Sequence, residues 1–178
     1  MGYTTEFKGR FELDKPLTKE LADYLQQFSE NRHYRISRDL IMELDPDWDK
    51  HCFNGDLGKD GQYYLTDYVG DFFRGPNRKR LRELQGHDNF DYNCTPSEDV
   101  PGLWCQWVPS EDLMGLEWDQ GEKFYNYVEW IEYLIQHFLA PSGYVVNGEV
   151  HWKGEDFDDV GVIDVTDNVV SSRCLPDW

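Results

Sequence analysis

Four carboxylates are concentrated in one short segment of this chain, and they form the densest group of side chains that could bind a cation or a basic partner. They are Glu155, Asp156, Asp158 and Asp159. Like charges at this density repel one another, so the cluster favours a use in binding. The alternative is a solvated loop, because loops that join strands at a protein surface are polar for that reason alone. The segment is predicted to join two strands.

Two further carboxylates, Glu129 and Glu132, are predicted to face away from the core on a helix over 122–139. Apolar residues recur there at the spacing of three and four that a core-facing helix needs: Phe124, Val128, Ile131, Ile135 and Phe138, flanked by Tyr127 and Leu134. Tyr133 and Gln136 are placed on the outer side. Carboxylates spaced along a helix and a loop can substitute for backbone phosphates. The six acids are therefore the predicted partner-binding residues.

An aspartate-rich run could be taken for a metal site. Asp45, Asp47 and Asp49 occupy alternate positions and Asp56 is twelfth, as in a calcium-binding loop. However, Lys50 stands where that loop needs glycine, and its twelfth residue should be glutamate. An ordinary turn, in which aspartates bond to nearby backbone groups, explains the same residues. We therefore predict no metal and no cofactor.

One histidine–carboxylate pair could support acid–base catalysis. His151 and Glu149 are two positions apart on a predicted strand, so they share a face. The chain has no nucleophile elbow, no glycine-rich phosphate loop and no HExxH zinc motif. An enzyme is therefore the less favoured interpretation, and no catalytic residue is predicted.

Aromatic residues give the alternative function, which is capture of a small ligand. A pocket between the sheet and a long insertion, lined by Tyr63, Trp104 and Trp107, could stack a base or a nucleotide. Trp104 and Trp107 fall on opposite faces of a strand predicted over 102–108, so one helix layer cannot bury both. The alternative that these rings are simply core residues stays open, because large rings can fill a core that has few aliphatic residues.

The charge of the chain is unevenly distributed. Residues 1–83 carry 16 acidic and 14 basic side chains, whereas residues 84–172 carry 18 acidic side chains and two basic ones. A strongly negative protein repels nucleic acid and anionic membranes and attracts basic partners, although net charge also serves solubility. No segment has the roughly 20 apolar residues that span a bilayer, and the first residues lack the apolar region of a secretory signal. We expect a cytoplasmic protein that binds a basic protein surface and contacts neither nucleic acid nor membrane directly.

Five basic residues within nine positions are an exception to this negative charge: Arg74, Arg78, Lys79, Arg80 and Arg82. A nucleic-acid site would need such a patch beside aromatic stacking groups. Because the rest of the chain repels phosphate, a solvated helix or a segment that folds back onto the acidic half is favoured.

The elements that position these residues follow from periodicity. Alternation predicts a half-buried strand over 4–13, and Thr18 is a suitable cap for a helix ending near Asn31. Strands are predicted over 102–108, over 114–118 and from Val146 to Trp152, and two more follow it. Short elements at 63–69 and 78–84 belong to an insertion over 32–100.

The order of these elements predicts one domain over 1–178, of the α+β class. Without the insertion, the order is strand, helix, strand, strand, helix, strand, which is the split βαβ arrangement of ferredoxin-like folds. We expect an antiparallel sheet with two helices on one face and a C-terminal β-meander.

Three stretches of the chain resemble a family of uncharacterised bacteriophage and bacterial proteins. They are YTTEFKGRFELDKPL, the run from PGLWCQWVPSED to EVHWKGED, and DVGVIDVTDNVV. The resemblance covers residues 3–31 and about 101–170, and it implies no activity and no catalytic residue. It implies a context, namely a small phage-encoded protein in the host cytoplasm. With the charge, it favours a non-enzymatic inhibitor of a host nucleic-acid-binding or defence complex.

Overall fold

A computed structural model describes residues 2–33, 36–65 and 100–176. The helix predicted over 78–84, the basic cluster and most of the strand predicted over 63–69 lie outside these residues. The chain divides into two compact units, unit 1 of residues 1–26 and 105–178 and unit 2 of residues 27–104. Unit 2 encloses the predicted insertion over 32–100. That the whole chain is a single domain stays a prediction.

Unit 1 contains an antiparallel sheet, and this sheet together with the helices confirms the predicted α+β class. Its strands are β1 (Glu6–Gly9), β2 (Phe11–Leu13), β3 (Trp107–Pro109), β4 (Gly115–Trp118), β5 (Val146–Lys153), β6 (Val160–Thr166) and β7 (Val169–Cys174). Their order is β3-β4-β2-β5-β6-β7, and β1 also pairs with β5.

The first two strands are one strand with a bend. Glu6 lies opposite Lys153 and Leu13 lies opposite Val146, so the register on β5 is the same before and after the bend. Gly9 has a φ of 100° at the bend, and a Cβ there would lie 2.6 Å from the carbonyl oxygen of Glu149. A residue without a side chain is therefore needed at this position.

Three α-helices are described: α1 (Lys19–Glu30), α2 (Arg38–Leu44) and α3 (Tyr127–Leu134), which continues as a π-helical segment, Ile135–Leu139. Thr18 Oγ1 accepts a hydrogen bond from the Leu21 N–H, which confirms the predicted N-cap of α1. Helix α2 was not predicted. It begins after Ser37, whose Oγ accepts from the Leu40 N–H.

The prediction for the second long helix was wrong at its start and on one face. Lys123 and Asn126 have φ values of 60° and 55°, and this left-handed backbone cannot belong to a right-handed helix. The helix therefore begins at Tyr127 and not at residue 122. Tyr133, which was predicted to face away, is buried, and its ring stacks on that of His137 with centroids 4.0 Å apart.

The strand predicted over 102–108 is also shorter than expected, because β3 begins at Trp107. Trp107 is only 1% exposed, and its ring lies 5.1–5.2 Å from those of Phe7, Phe11 and Phe124. These edge-to-face contacts form the aromatic centre of the unit 1 core.

Two hairpins end the chain. Val146, Val150 and Trp152 of β5 are buried, as the alternation of that strand predicted. Asp167 and Asn168 have φ values of 49° and 69°, which is the backbone of the tight turn that suits the twist of a two-stranded hairpin. The last strand extends to Cys174, and the Leu175 N–H donates to Val160 O at 2.8 Å. None of the described helices is long and apolar enough to cross a bilayer.

Candidate partner-binding site

The acidic segment is a loop, residues 154–159, that joins β5 to β6. The Gly154 N–H donates to Asp159 O at 2.7 Å and closes the base of the loop. A Cβ at Gly154 would overlap the Asp159 carboxylate and the Tyr3 hydroxyl. The close packing at the base therefore requires glycine, and it fixes the direction in which the rest of the loop projects.

One of the four predicted loop acids is used inside the protein. Asp159 Oδ1 accepts from the Trp152 indole N–H at 3.0 Å, and Oδ2 accepts from the Tyr3 hydroxyl at 2.7 Å. The hydrogen bond to the carboxylate raises the pKa of Tyr3. Glu155 is exposed, but its Oε1 accepts from the Thr4 N–H at 2.7 Å. Asp159 in particular holds the loop and orients an indole, so it is not an available partner-binding carboxylate.

The loop tip, which we define as Asp156, Phe157 and Asp158, projects into solvent. Both carboxylates are exposed, and neither forms an ion pair with a described residue. Phe157 is 90% exposed. Sequence reasoning considered only the acids and missed this aromatic ring, although an apolar residue between carboxylates of a loop is the signal that could have identified it.

A cleft of about 410 Å³ lies between the start of α3 and the last strand. Its lining residues are Asn126, Tyr127, Val128, Glu129, Trp152, Ser172, Arg173 and Cys174. Trp152 is opposite Gly161 on β6, and a Cβ at Gly161 would overlap its ring. The absence of a side chain at Gly161 therefore lets the indole lie across the neighbouring strand and form part of the cleft wall.

The loop and the helix meet at this cleft, because the ring of Tyr127 lies 5.7 Å from that of Trp152, whose indole donates to Asp159. Burial raises the pKa of the Tyr127 hydroxyl well above the ordinary value, and the charges of Asp159 and Glu129 raise it further. Both carboxylates are thus close enough to interact electrostatically with one phenol. The structure therefore brings Glu129 and the acidic loop together. Glu132 is exposed on the next turn of α3 and is not among the lining residues.

Two other acids of residues 100–172, Asp112 and Glu149, do not line the cleft. Asp112 accepts from Arg10 at 3.0 Å, and hydrogen bonds from Ser110 and Met114, followed by that from Arg10, lower its pKa to about 2. Glu149 lies on the sheet face opposite the buried side chains, where Lys8 is the cross-strand neighbour of His151. Of the described acids, Asp112 and Glu149 therefore lie outside the lining of the cleft.

The possible acid–base pair does not have a catalytic arrangement. His151 Nε2 and Glu149 Oε2 are 3.9 Å apart, which is too long for a hydrogen bond, and about half of each side chain is exposed. Glu149 therefore does not orient His151 through a hydrogen bond.

The three aromatic residues of the alternative pocket are not equivalent. Trp107 lies in the core of unit 1, and its indole N–H donates to Tyr127 O at 2.8 Å, so its ring is inaccessible to a ligand. Tyr63 and Trp104 belong to unit 2. Trp104 is 42% exposed, and the guanidinium of Arg32 lies over its ring. Trp107 is therefore a core residue and not a pocket residue.

The aspartate-rich run of unit 2 is occupied by internal hydrogen bonds. Asp45 Oδ2 accepts from His51 Nδ1–H and from the Tyr64 hydroxyl, both at 2.7 Å. Burial alone would raise the pKa of Asp45, but these bonds and one from the Asp47 N–H lower it overall. Among the described residues, no three histidine, cysteine or carboxylate side chains are grouped as metal ligands. Nineteen residues separate Asp45 from Tyr64, so local sequence patterns do not indicate their contact.

Comparison of this chain with family models, with curated proteins and with solved structures found no match in any of the three.

Proposed function

We propose that this chain is a non-enzymatic interaction protein that presents an acidic surface to a basic groove on another protein. The observation that carries the proposal is the loop tip, where a phenylalanine that is 90% exposed stands between two carboxylates that form no ion pair with a described residue. Glu129 lies near the base of the same loop, at the cleft. An exposed aromatic side chain flanked by charges can act as the anchor of an interface.

The physical basis of binding is charge complementarity with an apolar anchor. The chain has a net charge of −18, so approach of a basic surface is favoured over a long range, and the attraction is screened as salt rises. Burial of Phe157 in the partner supplies the short-range free energy. Basic grooves that hold phosphates suit such a surface. We therefore propose that the partner is a host nucleic-acid-binding or defence complex and that the chain is phage-encoded and acts in the host cytoplasm, as its sequence resemblance implies.

Neutralising four exposed acids of the proposed site is expected to weaken partner binding without unfolding the protein. The test variant combines Glu129→Gln, Glu132→Gln, Asp156→Asn and Asp158→Asn, and it leaves Asp159 and Glu155 in place because both accept structural hydrogen bonds. The measurement is affinity capture from bacterial lysate at low and high salt. The captured protein is then identified, and the chain is added to it in a DNA mobility-shift assay. We expect at least about a tenfold loss of affinity, since about 1.4 kcal/mol is sufficient for it.

The matched control removes four charges elsewhere on unit 1, by Glu20→Gln, Glu117→Gln, Glu122→Gln and Asp167→Asn. All four residues are exposed, and none of their side chains lines the cleft. If both variants lose binding equally, net charge explains the interaction and the proposed site is wrong. Retention of full affinity by the test variant also contradicts it.

Phe157→Ala is expected to weaken binding of the same partner by about tenfold, because a buried aromatic anchor at an interface contributes more than 1 kcal/mol. The fold should not change, since this side chain is 90% exposed in the free protein. Titration calorimetry measures the affinity, and thermal unfolding checks the stability. An unchanged affinity would show that the attraction is purely electrostatic.

We propose further that the core of unit 1 is ferredoxin-like, with two helices on one face and a C-terminal β-meander. The strand order supports this assignment, because the bent first strand lies between β4 and β5, and β3 lies outside β4. That is the order which a split βαβ unit followed by a second one produces.

A further inference from the structure

The two edges of the unit 1 sheet differ in how open they are to another strand. Strand β3, at one edge, has three residues and includes Pro109, which lacks the N–H that pairing needs. Strand β7, at the other edge, has six residues and no proline. Natural proteins protect edges by shortness, proline or charge. In the part of the chain that the structure describes, no strand lies against the outer side of β7.

The backbone of β7 has a definite direction of hydrogen bonding. The Leu175 N–H donates to Val160 O on β6. In an antiparallel ladder, the direction of the N–H alternates from residue to residue. The N–H groups of Arg173 and Ser171 therefore point to β6, whereas those of Cys174 and Ser172 point outward, away from the sheet. Among the described residues, neither of these two N–H groups has a hydrogen-bond acceptor.

The same two residues line the cleft beside α3. Ser172 and Cys174 form one wall, Val128 and Glu129 of α3 form the other, and Trp152 and Tyr127 provide aromatic surface. An outward-facing strand edge with a helix next to it is a groove in which an extended peptide can add as a strand while alternate side chains enter the cleft.

The charges around the groove select the side chains that would enter it. Glu129 lines it, and Asp159 accepts a hydrogen bond from the indole of Trp152 in its wall. Arg173 is the cation among the lining residues, and strand alternation directs its side chain to the opposite face from those of Ser172 and Cys174. A lysine or arginine in the cleft would face Glu129 and could lie against an aromatic ring, where cations are attracted.

We propose that an extended basic segment of the partner pairs with β7 as an additional strand and inserts a lysine or arginine into the cleft. This inference depends on the proposed function, because it specifies how the basic partner binds. Backbone hydrogen bonds to Ser172 and Cys174 supply affinity whatever the sequence of the partner's segment, and the carboxylates select for cationic side chains.

The probe is a fluorescein-labelled ten-residue peptide of alternating lysine and valine, with binding followed by fluorescence polarisation. Two control peptides contain the same five lysines and five valines. One has the five lysines followed by the five valines, and the other has the alternating sequence with alternate backbone nitrogens methylated. Methylation removes the N–H groups of one peptide edge but no charge. If a strand is added, the methylated peptide binds at least about tenfold more weakly, because two or three hydrogen bonds of about 1 kcal/mol each are lost.

The matched protein variants are Ser172→Pro and Ser172→Ala. Proline removes an N–H that β6 does not use, so the sheet tolerates it, whereas alanine keeps this N–H. We expect about a tenfold loss of affinity for the alternating peptide with proline and none with alanine. Circular dichroism and urea unfolding confirm that both variants are folded.

The outcomes separate this inference from the proposed function. If the alternating and methylated peptides bind with equal affinity, strand addition is wrong. If the four-acid variant also binds the alternating peptide more weakly, the proposed acidic site is still supported. Absence of binding at millimolar peptide also overturns strand addition. A dimer that Ser172→Pro abolishes would show that a second copy occupies β7, which contradicts the proposed occupant. Loss of affinity with the methylated peptide and with Ser172→Pro, but not with Ser172→Ala, supports strand addition on β7.

Discussion

Acidification from pH 6.5 to pH 4 is expected to lower the unfolding free energy of unit 2 by about 3 kcal/mol because of one residue, His33. This imidazole is 3% exposed, and its Nε2–H donates to Phe28 O at 2.9 Å. Burial lowers its pKa from 6.5 to about 4. Below pH 6.5 the unfolded chain therefore binds a proton that the folded chain does not bind, so stability falls as the pH falls. The loss is complete near pH 4.

The measurement is urea unfolding at four pH values between 7.5 and 4.5, for the natural chain and for His33→Gln. Glutamine does not titrate and can still donate a hydrogen bond to the Phe28 carbonyl. The difference between the two curves should change by about 1.4 kcal/mol per pH unit within the window. The lowered pKa of Asp45 affects stability only below its ordinary value of 3.8, outside this range. Parallel curves would show that His33 is protonated in the folded protein.

Asp159→Ala is expected to reduce the unfolding free energy of unit 1 by about 1–3 kcal/mol, because it removes the acceptor of a buried indole N–H. Trp152 is 6% exposed, so water cannot readily replace the carboxylate. Loss of the second hydrogen bond, from Tyr3, should also loosen the base of the loop. The measurement is chemical unfolding monitored by tryptophan fluorescence.

Two neighbouring substitutions control for this effect. Asp159→Asn keeps one acceptor oxygen for the indole, so its cost should be smaller than that of alanine. Asp158→Ala removes a charge from the same loop but no internal hydrogen bond, and should leave the unfolding free energy within about 0.5 kcal/mol. Equal destabilisation by Asp158→Ala and Asp159→Ala would mean that the Trp152 bond contributes nothing to stability.

The difference between these neighbours explains why site prediction from sequence was incomplete. Asp158 and Asp159 have the same side chain and the same local composition. The positions of Trp152 and Tyr3 make Asp159 a structural acceptor, while Asp158 stays exposed. Sequence periodicity carries no information on which carboxylate an indole reaches across a hairpin.

The sequence by itself determined the strand and helix pattern of unit 1, because alternation and the spacing of three and four reflect burial of one face, which local sequence encodes. It predicted β1 and β2, the cap at Thr18 and the buried face of β5. Tertiary structure alone decided the late start of α3, the burial of Tyr133 and the meeting of Glu129 with the acidic loop. Each of these depends on contacts between distant segments, whose free energy outweighs local preference. The exposure of β7 beside α3 has the same origin, since strand order and not strand sequence makes it an edge.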